Sequence, residues 1–412
     1  MSEVKLRNYV LVTAGYWAFT LTDGALRMLV LLYFNELGYS PVAIAFLFLL
    51  YEFMGIVTNL IGGWVGARTG LNRTLLIGLG LQVVALVGLT FQDPSWVEWV
   101  SVAFVMGLQA LSGVAKDLTK MSSKSAVKYI AGEGGLFRLV AILTGSKNAL
   151  KGVGFFLGAV LLSWIGYDAA LWSMAVMITV VLVAVGVLLN EDIGRAKVKP
   201  PLRSILSKSS AINRLSAARF FLFASRDIWF VVALPIFLAD ELGWPSGQIG
   251  AFLAAWLIGY GIVQSAAPRL LRRSIASVDA EIGAARNWAF VLGIVSVSMA
   301  AGVALDVAVT TIVVGGLIVF GVAFAINSSL HSYLILAYSH GDSVSLDVGF
   351  YYSANAAGRL VGTLLSGVLY LWGGLDAALW GSAAFVAITW LLTLRLPALA
   401  ADHAQPIRTA TS

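Results

Sequence analysis

Runs of about 20 consecutive apolar residues recur along this chain, each long enough to cross the hydrocarbon of a bilayer as a helix. Short clusters of charge, glycine and proline separate them. Read in turn, they predict twelve spanning helices near residues 8–35, 42–65, 74–92, 97–118, 137–164, 168–190, 212–239, 247–270, 286–304, 308–337, 346–372 and 376–395. The first run is too long for the apolar stretch of a secretory signal and has no small-residue cleavage site, so it reads as the first span.

Composition supports that reading. The chain has 412 residues, 59% hydrophobic and 12% charged, where a soluble domain carries about 25% charged residues. Length alone would suggest two or three globular domains, and the apolar runs override it. There is no cysteine, which excludes disulfides, thiolate metal sites and thiol redox chemistry. His331, His340 and His403 are too scattered to suggest a metal site, and no cofactor is expected. A net charge of +6 raises nucleic acid as a partner, but the placement of the charges argues against it.

Most of the 27 basic residues fall on one side of the predicted membrane. They lie before span 1 (Lys5, Arg7), after span 2 (Arg68, Arg73) and around the connection after span 4 (Lys116, Lys120, Lys124, Lys128, Arg138). They continue in the central loop from Arg195 to Arg214, after span 8 (Arg269, Arg272, Arg273, Arg286) and after span 12 (Arg395, Arg408). The opposite loops carry Glu36, Asp93, Glu98, Asp168, Asp240, Glu241, Asp306 and Asp376 instead. The positive-inside rule therefore predicts both termini and the central loop in the cytoplasm of a bacterial inner membrane. Only the loop after span 10, with His340 and Asp342, lacks the basic mark.

The two halves of the sequence repeat each other. Asp168-Ala-Ala-Leu-Trp172 recurs at Asp376–Trp380, Glu36-Leu-Gly-Tyr39 at Glu241–Trp244, and Gly55-Ile-Val57 at Gly261–Val263, with shifts of 208, 205 and 206. Three matches at nearly one spacing, in corresponding spans, indicate duplication. Six spans per half leave both halves in the same orientation. The expected fold is all-α and integral to the membrane: an N-terminal bundle over 1–190, a basic linker over 191–211, a C-terminal bundle over 212–395 and a tail over 396–412. This resembles the major facilitator superfamily, whose ligand site lies between the halves near the midplane. The loop Gly63-Trp-Val-Gly-Ala-Arg68-Thr-Gly70-Leu-Asn-Arg73 resembles the superfamily's signature, departing from it at Ala67, where an acid is usual.

Six cations remain inside spans: Arg27, Lys147, Lys151, Arg219, Arg226 and Arg359, against the acids Asp23, Glu52 and Asp227. A charge at the membrane centre costs about 2.5–3.5 kcal/mol on insertion scales, so these residues should face the interior. Asp23 and Arg27, four apart, are expected to pair on one helix face, either structurally, in coupling or in direct contact with ligand. Glu52 and Asp227 can neutralise two further cations, and Arg219 is expected to snorkel toward the near end of its helix. The positive surplus then calls for an anionic ligand. The repeat relates Lys151 to Arg359, and Lys147 precedes Lys151 by one turn. Lys147, Lys151, Arg226 and Arg359 thus form the expected anion site, with Arg27 beside it and the amides Asn148 and Asn355 as orienting groups. Arg68, Lys116, Asp117 and Lys120 either gate the site and attract the anion or anchor their helices at the interface. The glycines of spans 5 and 11 are read as close-packing positions.

The segments at 16–41, 108–128, 143–158 and 216–238 are similar to those of the ArsJ family of organoarsenical efflux permeases, most strongly from span 1 to span 8. That resemblance implies export of 1-arseno-3-phosphoglycerate, made by glyceraldehyde-3-phosphate dehydrogenase when arsenate replaces phosphate, and hence arsenate resistance. Its cargo has two oxyanion ends and needs no thiol, which suits a cysteine-free site with cations from both halves. The expected mechanism is alternating access in a monomer, with Asp23, Glu52 or Asp227 as candidate proton carriers, since a buried carboxylate holds a proton more readily. Exchange of an organophosphate for phosphate, or proton-coupled export of another anion, remains open. No nucleophile or metal-ligand motif points to an enzyme.

Overall fold

The computed structural model describes residues 3–69, 71–131, 136–189, 209–271, 278–338 and 344–398. Side chains are described throughout these except at 3–5, 62–69, 71, 121, 124–145, 268–270, 278–279, 336 and 344–346. Most of the expected linker and tail, and the loop containing His340, lie outside the described residues.

Helices α1 (Glu3–Glu36), α2 (Pro41–Thr69), α3 (Leu71–Leu89), α4 (Glu98–Ala131) and α5 (Leu136–Leu188) form the first half. Helices α6 (Ser210–Phe230), α7 (Ala233–Ile236), α8 (Ser246–Leu271), α9 (Val278–Ala304), α10 (Val309–Tyr338) and α11 (Val344–Leu394) form the second. Among the described residues, ten segments are long and apolar enough to cross a membrane. Two of them are double spans: α5 has 53 residues and bends at Gly166 (φ 79°), and α11 has 51 and bends at Gly373 and Gly374. Counted as two spans each, they bring the total to twelve. The fold is that of an all-helical membrane transporter.

Positive φ at Gly38, Gly166, Gly243 and Gly374 falls at matching points of the repeat, since Gly38 matches Gly243 and Gly166 matches Gly374. Only glycine enters that backbone region without steric cost, so the duplication is written in the turns as well as the spans. At Gly38 the reversal closes α1, with the amide of Tyr39 donating to the Phe34 carbonyl at 3.1 Å. Trp164 and Trp372, 81% and 86% exposed, flank the two bends at matching positions. They suit the aromatic belt at a membrane surface.

The seventh span is broken between α6 and α7 and ends in a wide π-type turn, Phe237–Glu241. Pro235 cannot continue an α-helix behind it, because its ring meets the carbonyl four residues back. The freed amides of Val232 and Ala233 both donate to Ser366 Oγ on α11, at 3.1 and 3.0 Å. Irregular backbone within a membrane requires such partners.

Sequence reading ended span 4 near 118, but α4 continues unbroken to Ala131, so Lys120, Lys124 and Lys128 lie on helix rather than in a loop. Likewise α9 begins at Val278, and Arg286 bonds the carbonyls of Thr393 and Leu396 at the end of α11. Within each half, α1 packs on α5 and α6 on α11 through glycines. Added methyl groups at Gly154 and Gly158 would collide with α1 backbone, and at Gly358 and Gly362 with α6 backbone. The halves meet on two seams related by the repeat, α2 against α11 and α5 against α8. At the acidic-loop side Asn35 donates to Asp240 at 3.1 Å and Ser246 to Glu36 at 3.3 Å.

Candidate functional site

Charged side chains from four helices form an alternating series across the α2–α11 seam. Glu52 of α2 accepts on one oxygen from Arg27 of α1 at 3.0 Å and from Arg359 of α11 at 2.6 Å. Arg359 also reaches Asp227 of α6 at 3.1 Å, and Asp227 in turn holds Arg226. Three arginines thus alternate with two carboxylates that are almost fully buried. The remaining faces of the guanidiniums meet rings: Phe48 and Tyr51 for Arg27, and Phe223, Phe230 and Phe324 for Arg226.

The expected Asp23–Arg27 pair does not form. Asp23 accepts from the Tyr51 hydroxyl, and Arg27 turns to Glu52. The i, i+4 spacing places the two side chains on one face, yet that same face presents both to α2. There the buried Glu52 needs cations more than Asp23 does, because Asp23 has a phenolic donor.

Arg219 differs from expectation too. It does not snorkel but is 4% exposed. Its Nε donates to Asn355 Oδ1 at 2.9 Å, its Nη1 to both oxygens of Ser328 at 3.1 Å, and its guanidinium lies 3.9 Å from the Phe223 ring. These partners hold it at depth. Ser328 also receives bonds from Gln264 at 3.2 Å and Tyr260 at 3.4 Å, and Asn148 donates to Gln264 at 3.1 Å. Asn148 and Asn355 are therefore the two ends of one relay through α5, α8, α10, α6 and α11, and both amides already have protein partners.

Lys116, Lys151 and Arg219 are buried or half-buried and, among the described residues, have no carboxylate within 4.0 Å. Lys151 lies near the Phe155 ring and within electrostatic range of Asp23, Glu52, Arg27 and Arg359. Lys151 and Arg359, related by the repeat, are thus within electrostatic range of each other. Lys147 sits one turn before Lys151 on α5. Lys116 rests 3.9 Å from the Tyr51 ring. One turn further, Lys120 bonds Asp117 at 2.6 Å and Asn59 at 3.2 Å, and Thr58 donates to Asp117, tying α4 to α2. Arg68 lies outside the described side chains.

Sequence reasoning missed Tyr51, Thr58, Asn59 and Ser328. Each is a polar residue inside an apolar run, a mark shared by many ordinary interhelical hydrogen bonds.

A model of the Major Facilitator Superfamily matches residues 12–231, more than half of the chain. The chain belongs to the major facilitator superfamily. It is accordingly a secondary transporter working by alternating access, with its ligand site expected between the halves, where the charge series lies. Solved structures of similar fold span nearly the whole chain. A bacterial homologue of the iron transporter ferroportin in the inward-facing state has a TM-score of 0.72 at 17% identity, covering 95% of this chain and 98% of that one. A D-xylose-proton symporter has a TM-score of 0.73 at 12% identity, with 95% and 98% covered. The nucleoside transporter NupG (D323A mutant) has a TM-score of 0.70 at 13% identity, with 96% and 100% covered. At these identities the likeness is one of fold. No curated protein matches the chain in sequence.

Proposed function

We propose that this major facilitator exports a small organic oxyanion from the bacterial cytoplasm across the inner membrane. The observation that carries the reading is the set of central cations without carboxylates. Leaving Lys147 aside, the cations Arg27, Lys116, Lys120, Lys151, Arg219, Arg226 and Arg359 outnumber the carboxylates Asp23, Glu52, Asp117 and Asp227 set among them. An uncompensated buried charge is strongly destabilising, and an anion between the halves removes that cost. Apolar or cationic cargo would not.

The resemblance to organoarsenical efflux permeases supplies the cargo, 1-arseno-3-phosphoglycerate. One oxyanion end would meet Lys151 and Lys147 from the first half, and the other Arg359 and Arg226 from the second. Arsenate resistance follows, with glyceraldehyde-3-phosphate dehydrogenase as the cytoplasmic source and no other protein subunit required. The basic side, and both termini, then face the cytoplasm. Among the candidate proton carriers Asp23 is favoured. Glu52 and Asp227 are each held by two arginines, while Asp23 accepts only a phenol.

The positive surplus also favours a second reading, exchange of an organophosphate for phosphate, because an empty cationic site is costly to turn across a membrane. Uptake of freshly made 1-arseno-3-phosphoglycerate into everted vesicles tests the first reading, and its acceleration by phosphate trapped inside tests the second. Replacing Lys151 by Gln should abolish uptake while protein remains in the membrane. Full uptake in that variant would remove the anion site.

A further inference from the structure

Helix α4 carries lysines at positions 116, 120, 124 and 128, every fourth residue. An i, i+4 row forms a ridge along a helix, rising about 6 Å per step, so the four positions extend over about 18 Å. The inner end lies at the seam between the halves. A methyl group at Gly55 of α2 would find Ala356 of α11 at 3.6 Å, the Asp117 carboxylate at 3.7 Å and the Lys116 ammonium at 3.8 Å. Lys116 therefore stands where α2, α4 and α11 meet, one turn from Glu52 and Arg359. Lys120 follows with 28% of its side chain exposed, and the row continues toward the basic side, where α4 ends at Ala131.

Lysines that only orient a protein in the membrane need a side, not a register. Lys116, which the sequence groups with the connection after span 4, lies within the spanning part of α4, Glu98–Lys120, where a lysine is costly. Asp117 is the only acid between residues 98 and 133, and it is buried against Lys120 and Thr58. The main packing partners of α4 are helices of its own half, α2 and α3 above all, with α1 and α5 beside them.

We propose that this row is an anion guide, by which a multivalent oxyanion is drawn from the basic side along α4 and delivered to the central cations. It deepens the anion-transport reading and rests on it for the destination. A positive groove with low-dielectric walls raises local anion concentration and arrival rates by roughly 10–1000-fold.

The protein has no cysteine, so a single Lys124→Cys variant in everted vesicles can report the local potential without any transported cargo. Its rate of modification by anionic 2-sulfonatoethyl methanethiosulfonate is compared with that by the cationic 2-trimethylammonioethyl reagent, each normalised to a free thiol. The anionic reagent should be favoured about tenfold or more. Adding Lys120→Gln and Lys128→Gln should erase most of the preference, as should high salt. A ratio equal to that of the free thiol, or one indifferent to the added substitutions, would overturn the guide. Full transport in Lys151→Gln with the ratio intact would instead remove the central site and leave the row standing.

Discussion

Glu52 binds two arginines through a single oxygen, one from each half of the molecule. Replacing it with Gln takes the carboxylate from Arg27 and leaves Arg359 with Asp227 alone, and breaking a buried ion pair from one side costs about 3–5 kcal/mol. Thermal unfolding in detergent should show Glu52→Gln clearly destabilised. Adding Arg359→Gln should cost less than the two single changes summed, the mark of a shared interaction. Additive losses would mean that the pair contributes nothing specific. Much of this was legible in the sequence: the excess of cations, and the roles of Glu52 and Asp227 as counter-charges, follow from counting charges within apolar runs. The partner of Arg27 was not legible. Helical spacing says which residues share a face but not which neighbouring helix that face meets. Arg219 was misjudged for a related reason, because its distance from the helix end is visible in sequence while Ser328 and Asn355 come from remote helices.

Helix contacts divide the glycines into two groups with opposite expected behaviour. Gly158 and Gly358 have the backbone of Ala25 and Phe220 where a methyl group would go, whereas Gly80 and Gly107 face nothing within 4 Å. Ala at 158 or 358 should therefore reduce the yield of monodisperse protein in size-exclusion chromatography. Ala at 80 or 107 should be tolerated, and gain about 0.5–1 kcal/mol from helix preference. Ser366 invites a separate check. Its hydroxyl caps two amides at the break in the seventh span, and Ser366→Ala should lower the melting temperature, an unmet buried group costing about 1–3 kcal/mol. Hydropathy placed every span, because the membrane length imposes one scale on all of them. It missed the polar extensions of α4 and α9, which lie beyond the apolar window. It also missed the broken seventh span, whose stability depends on a side chain more than 130 residues away.

The molecule as a whole is two copies of one six-span unit joined along two matching seams, and the duplicated strings foretold this before any packing was known. Under the proposed anion export, net transport should respond to voltage, since each exported negative charge gains about 2.3 kcal/mol per 100 mV of inside-negative potential. Everted vesicles loaded with valinomycin and potassium gradients should take up anion faster when their interior is positive. Indifference to the gradient would select electroneutral exchange. The twofold relation fails at one consequential place. By the register that aligns Gly55 with Gly261, Glu52 corresponds to Ile258, so the carboxylate fork has no twin. A bound molecule with dissimilar ends accordingly meets a front and a back rather than two equal jaws. Such a carrier would accept its cargo head first and refuse the reversed isomer.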